Sequence, residues 1–342
     1  MGIHCIVGAG QVGSRLAELL VQQGHSVRQL SRSGTHVAEA TGVQVNAMDG
    51  QALRAATDGA DVIYNCLNPA YHRWPQDWPT MADNLLAAAQ DRVLVTLSNL
   101  YGYGPVTAPM TEKTPLQPTT RKGTVRATMW LQALAAHQAG RLRTVEVRAS
   151  DYIGEGGEQV VFGERVVPRI QRGASVTVLG RADVAHTWTY TGDVAETLAR
   201  VATDEQAYGQ AWHVPSNEPR TQTEVVTDLA TVLEVPTPKI RTVGRAMLRA
   251  GGLVNPSMRE LVEMLYEFDR PFIMDSSQAQ TTFGLKPTPW DIVIGLFTNE
   301  GVGAWARRGG VWGRGPPMMG VLTLPSRKTS TCLTLPCSLA LM

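Results

Sequence analysis

Cysteine is scarce in this chain, with four in 342 residues. Cys5, Cys66, Cys332 and Cys337 build no disulfide framework, which excludes a small cystine-stapled fold; a cytoplasmic, disulfide-free protein is expected. Cys5 and Cys66 fall in apolar strand segments and read as small buried hydrophobes. Charge of one sign is lacking too: lysine plus arginine number 31, aspartate plus glutamate 30. No basic patch points to nucleic acid or to an anionic membrane surface. No apolar run is long enough to span a bilayer, and the first residues carry no charged leader, so neither a membrane span nor a signal peptide is expected. His72 and His186 stand alone, without metal-ligand spacing, and no metal is expected. There are no internal repeats. The length suits one large α/β domain, or one with a smaller appendage.

What is present begins at once. The apolar run Ile3-His4-Cys5-Ile6-Val7 enters Gly8-Ala9-Gly10-Gln11-Val12-Gly13, and an amphipathic stretch follows from Ser14 to Leu20. A strand, a G-x-G-x-x-G turn and a helix in that order form a dinucleotide-binding fingerprint. Gly8 permits the tight turn, Gly10 lets a pyrophosphate approach the backbone, and Gly13 lets helix and strand pack closely. The helix N-terminus offers free N–H groups and the positive end of its dipole to the phosphates.

The first half alternates strands with helices, the pattern of a Rossmann-type α/β fold with a doubly wound parallel sheet. Strands are expected at 3–7, 26–30, 43–46, 62–66, 93–97 and 144–147, and helices at 13–23, 51–57, 80–90 and 124–139. Residues 68–79, with Pro69, Tyr71, His72, Trp74, Pro75, Trp78 and Pro79, read as a loop whose aromatic residues cover or line a pocket, or are simply packed down. The core is assigned to 1–150 and a smaller C-terminal substrate lobe to 151–308, with some elements returning to the core. In that lobe, helices are expected at 166–173, from about Asp193, and at 223–233 and 257–268. Strands are expected at 175–179, 212–214 and 271–274. Residues 309–342 read as a disordered or foreign tail.

The second strand ends Gln29-Leu30-Ser31-Arg32-Ser33. An NAD-binding chain places a carboxylate there for the ribose hydroxyls. Its absence, and Arg32 between Ser31 and Ser33, suit the 2′-phosphate of NADP, so NADP(H) is expected over NAD(H). Asp49 either reaches the adenine or caps the following helix. Asn65 and Asn68 would flank the middle of the cofactor.

On these residues the layout resembles the short-chain dehydrogenase/reductase superfamily, and within it the extended NAD-dependent epimerases and dehydratases. Ser98-Asn99-Leu100-Tyr101-Gly102-Tyr103-Gly104 resembles the family's Ser-Ser/Thr-x-x-Val-Tyr-Gly segment. Val145-Glu146-Val147-Arg148, followed by Tyr152-Ile153-Gly154, resembles its "LRP…YG" segment. Trp188-Thr189-Tyr190-Thr191-Gly192-Asp193-Val194-Ala195 resembles a further family segment. The resemblance implies a catalytic Ser or Thr and a Tyr-x-x-x-Lys, with tyrosine as the acid/base.

This chain departs at all three positions. Asn99 stands for Ser or Thr, Lys122 for the tyrosine and Arg126 for the lysine. Asn99 can donate a hydrogen bond to a carbonyl, and Arg126 can hold ribose hydroxyls without giving up a proton. Lys122 can serve as an acid if neighbouring positive charge destabilises its ammonium form, or as an electrostatic stabiliser, or it is a solvated helix start. Tyr101 is an alternative acid, and Tyr103 matches a structural tyrosine of the family. Asp151 and Tyr152 follow the sixth strand toward the pocket.

Three readings follow. The first is an oxidoreductase acting on a small carbonyl or alcohol with NADP(H). The second is a redox-neutral epimerase or dehydratase that retains its cofactor, and the third a non-catalytic NADP sensor docking a protein partner. A homodimer through the helices at 80–90 and 124–139 is compatible with their alanines.

Overall fold

The computed structural model describes residues 2–154, 160–163, 165–253 and 256–298. Seven parallel strands form one central sheet: β1 (Ile3–Val7), β2 (Ser26–Ser31), β3 (Thr41–Gln44), β4 (Val62–Asn65), β5 (Val93–Asn99), β6 (Arg143–Ala149) and, late in the chain, residues Gln210–His213. Their spatial order is Gln210–His213, β6, β5, β4, β1, β2, β3. The chain winds outward from β1 in one direction and then from β4 in the other. A crevice therefore opens at the carboxyl ends of β1 and β4, where the winding reverses.

Helices cover both faces. α1 (Gln11–Gln22) buries Leu16, Ala17 and Leu20 on one face, while α2 (Gly50–Ala56), α3 (Trp74–Ala88) and α4 (Arg121–Gln138) lie on the other. Strands sandwiched in this way are apolar on both sides, which is why β1 and β4 are mostly hydrophobic, with His4 and Asn65 buried among them. Expected and observed strands in this half agree to within a few residues at each end.

Residues 68–79 are not a loop throughout. A 3₁₀ turn spans Tyr71–Arg73, and α3 begins at Trp74. Pro75 sits in the first helical turn, where the missing N–H would have had no partner anyway. Trp74 and Trp78, one turn apart on the inner face, are fully buried. α4 starts a turn earlier than expected because Thr120 caps it, accepting from the Gly123 N–H at 3.0 Å.

Beyond β6 the chain leaves the sheet with β7 (Asp151–Ile153), α5 (Val167–Gln171) and β8 (Val176–Leu179), then β9 (Trp188–Tyr190), which pairs with β7. α6 (Thr191–Ala202) and β10 (Gln210–His213) return to the core, β10 pairing with β6. α7 (Gln222–Val232), β11 (Ile240–Val243) and α8 (Arg245–Gly251) follow, β11 pairing with β8. The helix expected over 257–268 is divided into α9 (Pro256–Leu261) and α10 (Tyr266–Asp269). The strand expected at 271–274 is reduced to isolated bridges, Phe272 with His186 and Met274 with Met110. α11 (Ser277–Phe283) and α12 (Trp290–Gly295) end the described chain. The tail expected at 309–342, with Cys332 and Cys337, lies outside the described residues.

Candidate active site

The glycine turn does three separate jobs. Gly8 has φ +125°, and a Cβ there would meet the Cys66 carbonyl oxygen at 2.5 Å, so both its conformation and its closeness to β4 demand glycine. A Cβ on Gly13 would strike the Gly8 carbonyl, so helix and turn could not close together. A Cβ on Gly10 would meet nothing within 4 Å. Gly10 borders open space at the start of α1, where no side chain caps the helix and the first turn carries no acid. An open, uncapped helix start of this kind has room and free N–H groups for a diphosphate, so the residues present fit the dinucleotide that the fingerprint implies. Gln11 and Val12 belong to the same first turn.

Across the crevice, Asn65 is buried at the end of β4, and its Oδ1 accepts from the Leu67 N–H at 3.2 Å. Asn68 Oδ1 is buried without a hydrogen-bond partner. At the end of β2, Ser31 Oγ donates to the Thr35 carbonyl at 3.2 Å, and the Ser33 and Thr35 hydroxyls lie 2.7 Å apart. Arg32 is exposed beside them. Asp49 caps α2, its Oδ1 accepting from Ala52 N–H at 3.0 Å, which satisfies the capping alternative.

Asn99 ends β5, and its Oδ1 accepts from the Tyr101 N–H at 3.2 Å, fixing the 3₁₀ turn Tyr101–Tyr103. Lys122 and Arg126, one turn apart on the inner face of α4, have quite different surroundings. Lys122 is 1% exposed; its ammonium donates to Glu260 Oε2 at 2.6 Å and also to Glu263. Its neighbours are thus two carboxylates on and just after α9, and it is not a solvated helix start. Arg126 lies against two tryptophans, its guanidinium carbon 4.5 Å from the Trp74 ring and 4.6 Å from that of Trp78. It also donates to the Leu97 carbonyl at 3.4 Å. Burial works against its charge, and the two aromatic faces offset part of that cost.

Two phenols meet beside this group. The Tyr71 hydroxyl donates to that of Tyr101 at 2.5 Å, and Lys122 Nζ sits 4.6 Å from the Tyr71 ring centroid. Both phenols are pushed well above their usual range, first by burial.

Further along the same edge, His186 is not alone. Its Nε2 lies 2.9 Å from Asp151 Oδ2 and its Nδ1 3.2 Å from the Glu267 carbonyl. Glu267 is fully buried, and neither carboxyl oxygen makes a hydrogen bond of normal geometry; burial raises its pKa well above the ordinary carboxyl value. Tyr152 is likewise pushed up by burial.

Tyr103 belongs to a separate buried chain. Arg148 joins Glu146 at 3.0 Å and the Tyr103 hydroxyl at 2.6 Å. That hydroxyl lies 2.7 Å from His213 Nε2, and His213 Nδ1 lies 2.7 Å from the Asp275 carbonyl. The carbonyl can only accept, so Nδ1 carries the proton and Nε2 accepts from Tyr103.

Sequence reading offered Tyr71 only as one of the aromatics that cover or line a pocket, or are packed down, and Asp151 only as a residue toward the pocket; it did not anticipate Glu260, Glu263, Glu267 or the pairing of Asp151 with His186. Tyr71 carried a signal, as an aromatic residue after the central strand. The acids carried none, since Lys122 meets them across 138 and 141 residues of chain.

A seven-stranded doubly wound sheet with a glycine cradle at its switch point defines a Rossmann-type fold. The chain belongs to the NAD-dependent epimerase/dehydratase family, which matches residues 5–214. No curated protein sequence matches it. Among solved structures it is similar to dTDP-glucose 4,6-dehydratase of Bacillus anthracis in complex with NAD, at 17% identity and TM-score 0.69, covering 90% of this chain and 97% of that one. It is also similar to the NAD complex of UDP-glucuronic acid 4-epimerase from Bacillus cereus, at 14% identity and TM-score 0.70, covering 88% and 99%. UDP-glucose 4-epimerase of Thermus thermophilus, also with NAD, matches at 19% identity and TM-score 0.66, covering 86% and 97%.

Proposed function

We propose that this protein is a nicotinamide-dinucleotide-dependent enzyme, preferring NADP(H), that acts on a small carbonyl or alcohol substrate. The open cradle at Gly10 carries this reading: Gly8 and Gly13 are explained by packing, whereas Gly10 faces space that the fold leaves unfilled. Gly8, Gly10, Gln11, Val12 and Gly13 would hold the diphosphate, Ser31, Arg32 and Ser33 the adenosine ribose phosphate, and Asn65 and Asn68 the middle of the cofactor. When bound, the nicotinamide supplies or accepts a hydride. The chain's own part is to orient the cofactor, exclude water and exchange a proton at Tyr101 Oη.

The NADP(H) preference is supported by the exposed Arg32 and by the lack of a carboxylate where β2 ends. A charge-assisted bond to phosphate is worth roughly 1.5–3 kcal/mol, about 10–100-fold in affinity. Calorimetry should find NADPH binding more tightly than NADH by that order, and Arg32→Ala should remove the preference. Equal affinities in the unsubstituted chain would refute it.

Family membership favours a second reading, a redox-neutral epimerase or dehydratase that keeps its cofactor. Denaturing the purified protein and assaying released nicotinamide separates the two: stoichiometric release supports retention, and none supports net oxidoreduction. A sensor role is disfavoured if a ketone and aldehyde panel yields turnover.

A further inference from the structure

α4 carries no tyrosine in the slot where the family's acid is expected, yet two phenols meet beside it. Tyr71 arrives from the turn before α3 and Tyr101 from the turn after β5. Trp74 packs against both, its ring 5.0 Å from that of Tyr71 and 6.1 Å from that of Tyr101. Lys122 lies over the Tyr71 ring, itself pinned by Glu260 and Glu263. Tyr71 is thus held between a tryptophan, an immobilised ammonium and the Tyr101 hydroxyl.

We propose that Tyr101 is the catalytic residue that exchanges a proton with the substrate oxygen, and that Tyr71 is its positioning residue, the pair standing in for the missing Tyr-x-x-x-Lys. This rests on the dinucleotide-dependent reading above. In the reducing direction a reduced nicotinamide dinucleotide supplies the hydride, which forms the new C–H bond as the carbonyl π pair moves onto oxygen. That oxygen takes the Oη proton of Tyr101, and the electron pair of the broken O–H bond stays on Tyr101 as phenolate. The only hydrogen then left between the two phenol oxygens belongs to Tyr71. The bond must run from Tyr71 to the phenolate, and a hydrogen bond to the charged form favours it. Lys122 contributes by holding the ring, since two carboxylates offset its single charge. Burial first, with Glu267 and Asp151 nearby and, for Tyr101, the resting contact with Tyr71 itself, raises both phenols well above their usual range, which suits the acid role. The positive ring of an oxidised nicotinamide is what would bring Tyr101 down for the reverse step.

Tyr71→Phe tests this. It keeps the ring under Lys122 and beside Trp74 and removes only the hydroxyl. The readout is phenolate absorbance of the full chain saturated with NADP+, followed as pH is raised. One tyrosine should ionise ahead of the others, and Tyr101→Phe should abolish that step. Tyr71→Phe should lower its acid dissociation constant about 10-fold or more, with NADP+ affinity by calorimetry unchanged. A step that is absent from the unsubstituted complex, survives in Tyr101→Phe, or is unmoved in Tyr71→Phe overturns the tyrosine pair. A wild-type chain that binds neither NADPH nor NADP+ overturns instead the functional reading beneath it.

Discussion

Single side chains in this protein are explained by their neighbours more than by their type. Arg126 stands where the family resemblance puts a ribose-binding lysine, yet its guanidinium lies against Trp74 and Trp78. Arg126→Met, which keeps most of the stem's packing, separates the two roles. If Arg126 chiefly holds the tryptophans, the variant loses stability by roughly 1–3 kcal/mol, from lost cation–π and packing contacts, and keeps its cofactor affinity. If it holds the ribose, calorimetry records weaker NADPH binding instead.

His213 makes a pH prediction with a definite sign. Burial drives its pKa down to about 3, from 6.5. The folded state therefore holds it neutral, and stability it contributes above pH 6.5 is lost as pH falls toward 3. Asp193 works the other way. Burial raises its carboxyl from 3.8 to about 6, despite bonds from the Thr288 N–H and hydroxyl. Its contribution is full below pH 3.8 and is lost as pH rises through 6. Denaturant melts between pH 4 and 6.5 should show His213→Gln flattening the acid-side loss and Asp193→Asn steepening it.

At the scale of elements, the glycine turn separates folding from binding. Gly10→Ala adds a methyl group to open space, so its melting temperature should match the wild type while NADPH affinity falls at least about 10-fold, for loss of charge-assisted phosphate contacts. Gly13→Ala forces a methyl against the Gly8 carbonyl and should cost about 1–3 kcal/mol of stability, as overpacking does. Equal destabilisation by the two would remove the distinction on which the cradle rests.

The same scale shows what the sequence made legible. The strands of the first half were readable because a strand buried on both faces is a short continuous apolar run between turn signals. The segment at 68–79 was misread because Pro75 and Pro79 suggest a loop, although Pro75 occupies a helical first turn where proline costs little. β7, β9 and β11 were not expected; strands of three or four residues paired with distant partners leave no periodic signal. Within the site, the glycines, Arg32 and Tyr101 could be found locally. The clamp on Lys122 could not, because a salt bridge across 138 residues has no local spacing to reveal it.

For the whole molecule, that clamp joins stretches of chain far apart in sequence. Glu260 and Glu263, on and just after α9, reach across to Lys122 at the start of α4. Lys122 is almost completely buried and both acids are partly so, so breaking the cluster from the lysine side leaves two carboxylates facing each other. Lys122→Met should therefore destabilise the protein by about 3–5 kcal/mol, the usual cost of removing one partner of a buried pair. Adding Glu260→Gln and Glu263→Gln should recover part of that loss, which a thermal melt of the triple variant would show. Among the described residues no helix is long and apolar enough to cross a membrane.

The most direct test of the central claim is a calorimetric titration of NADPH and NADH into the full chain and its Gly10→Ala variant. The expected result is binding of both, NADPH the tighter, with affinity greatly reduced in a variant that melts like the wild type. Binding of neither nucleotide by the wild type, or undiminished binding by the variant, would contradict the account.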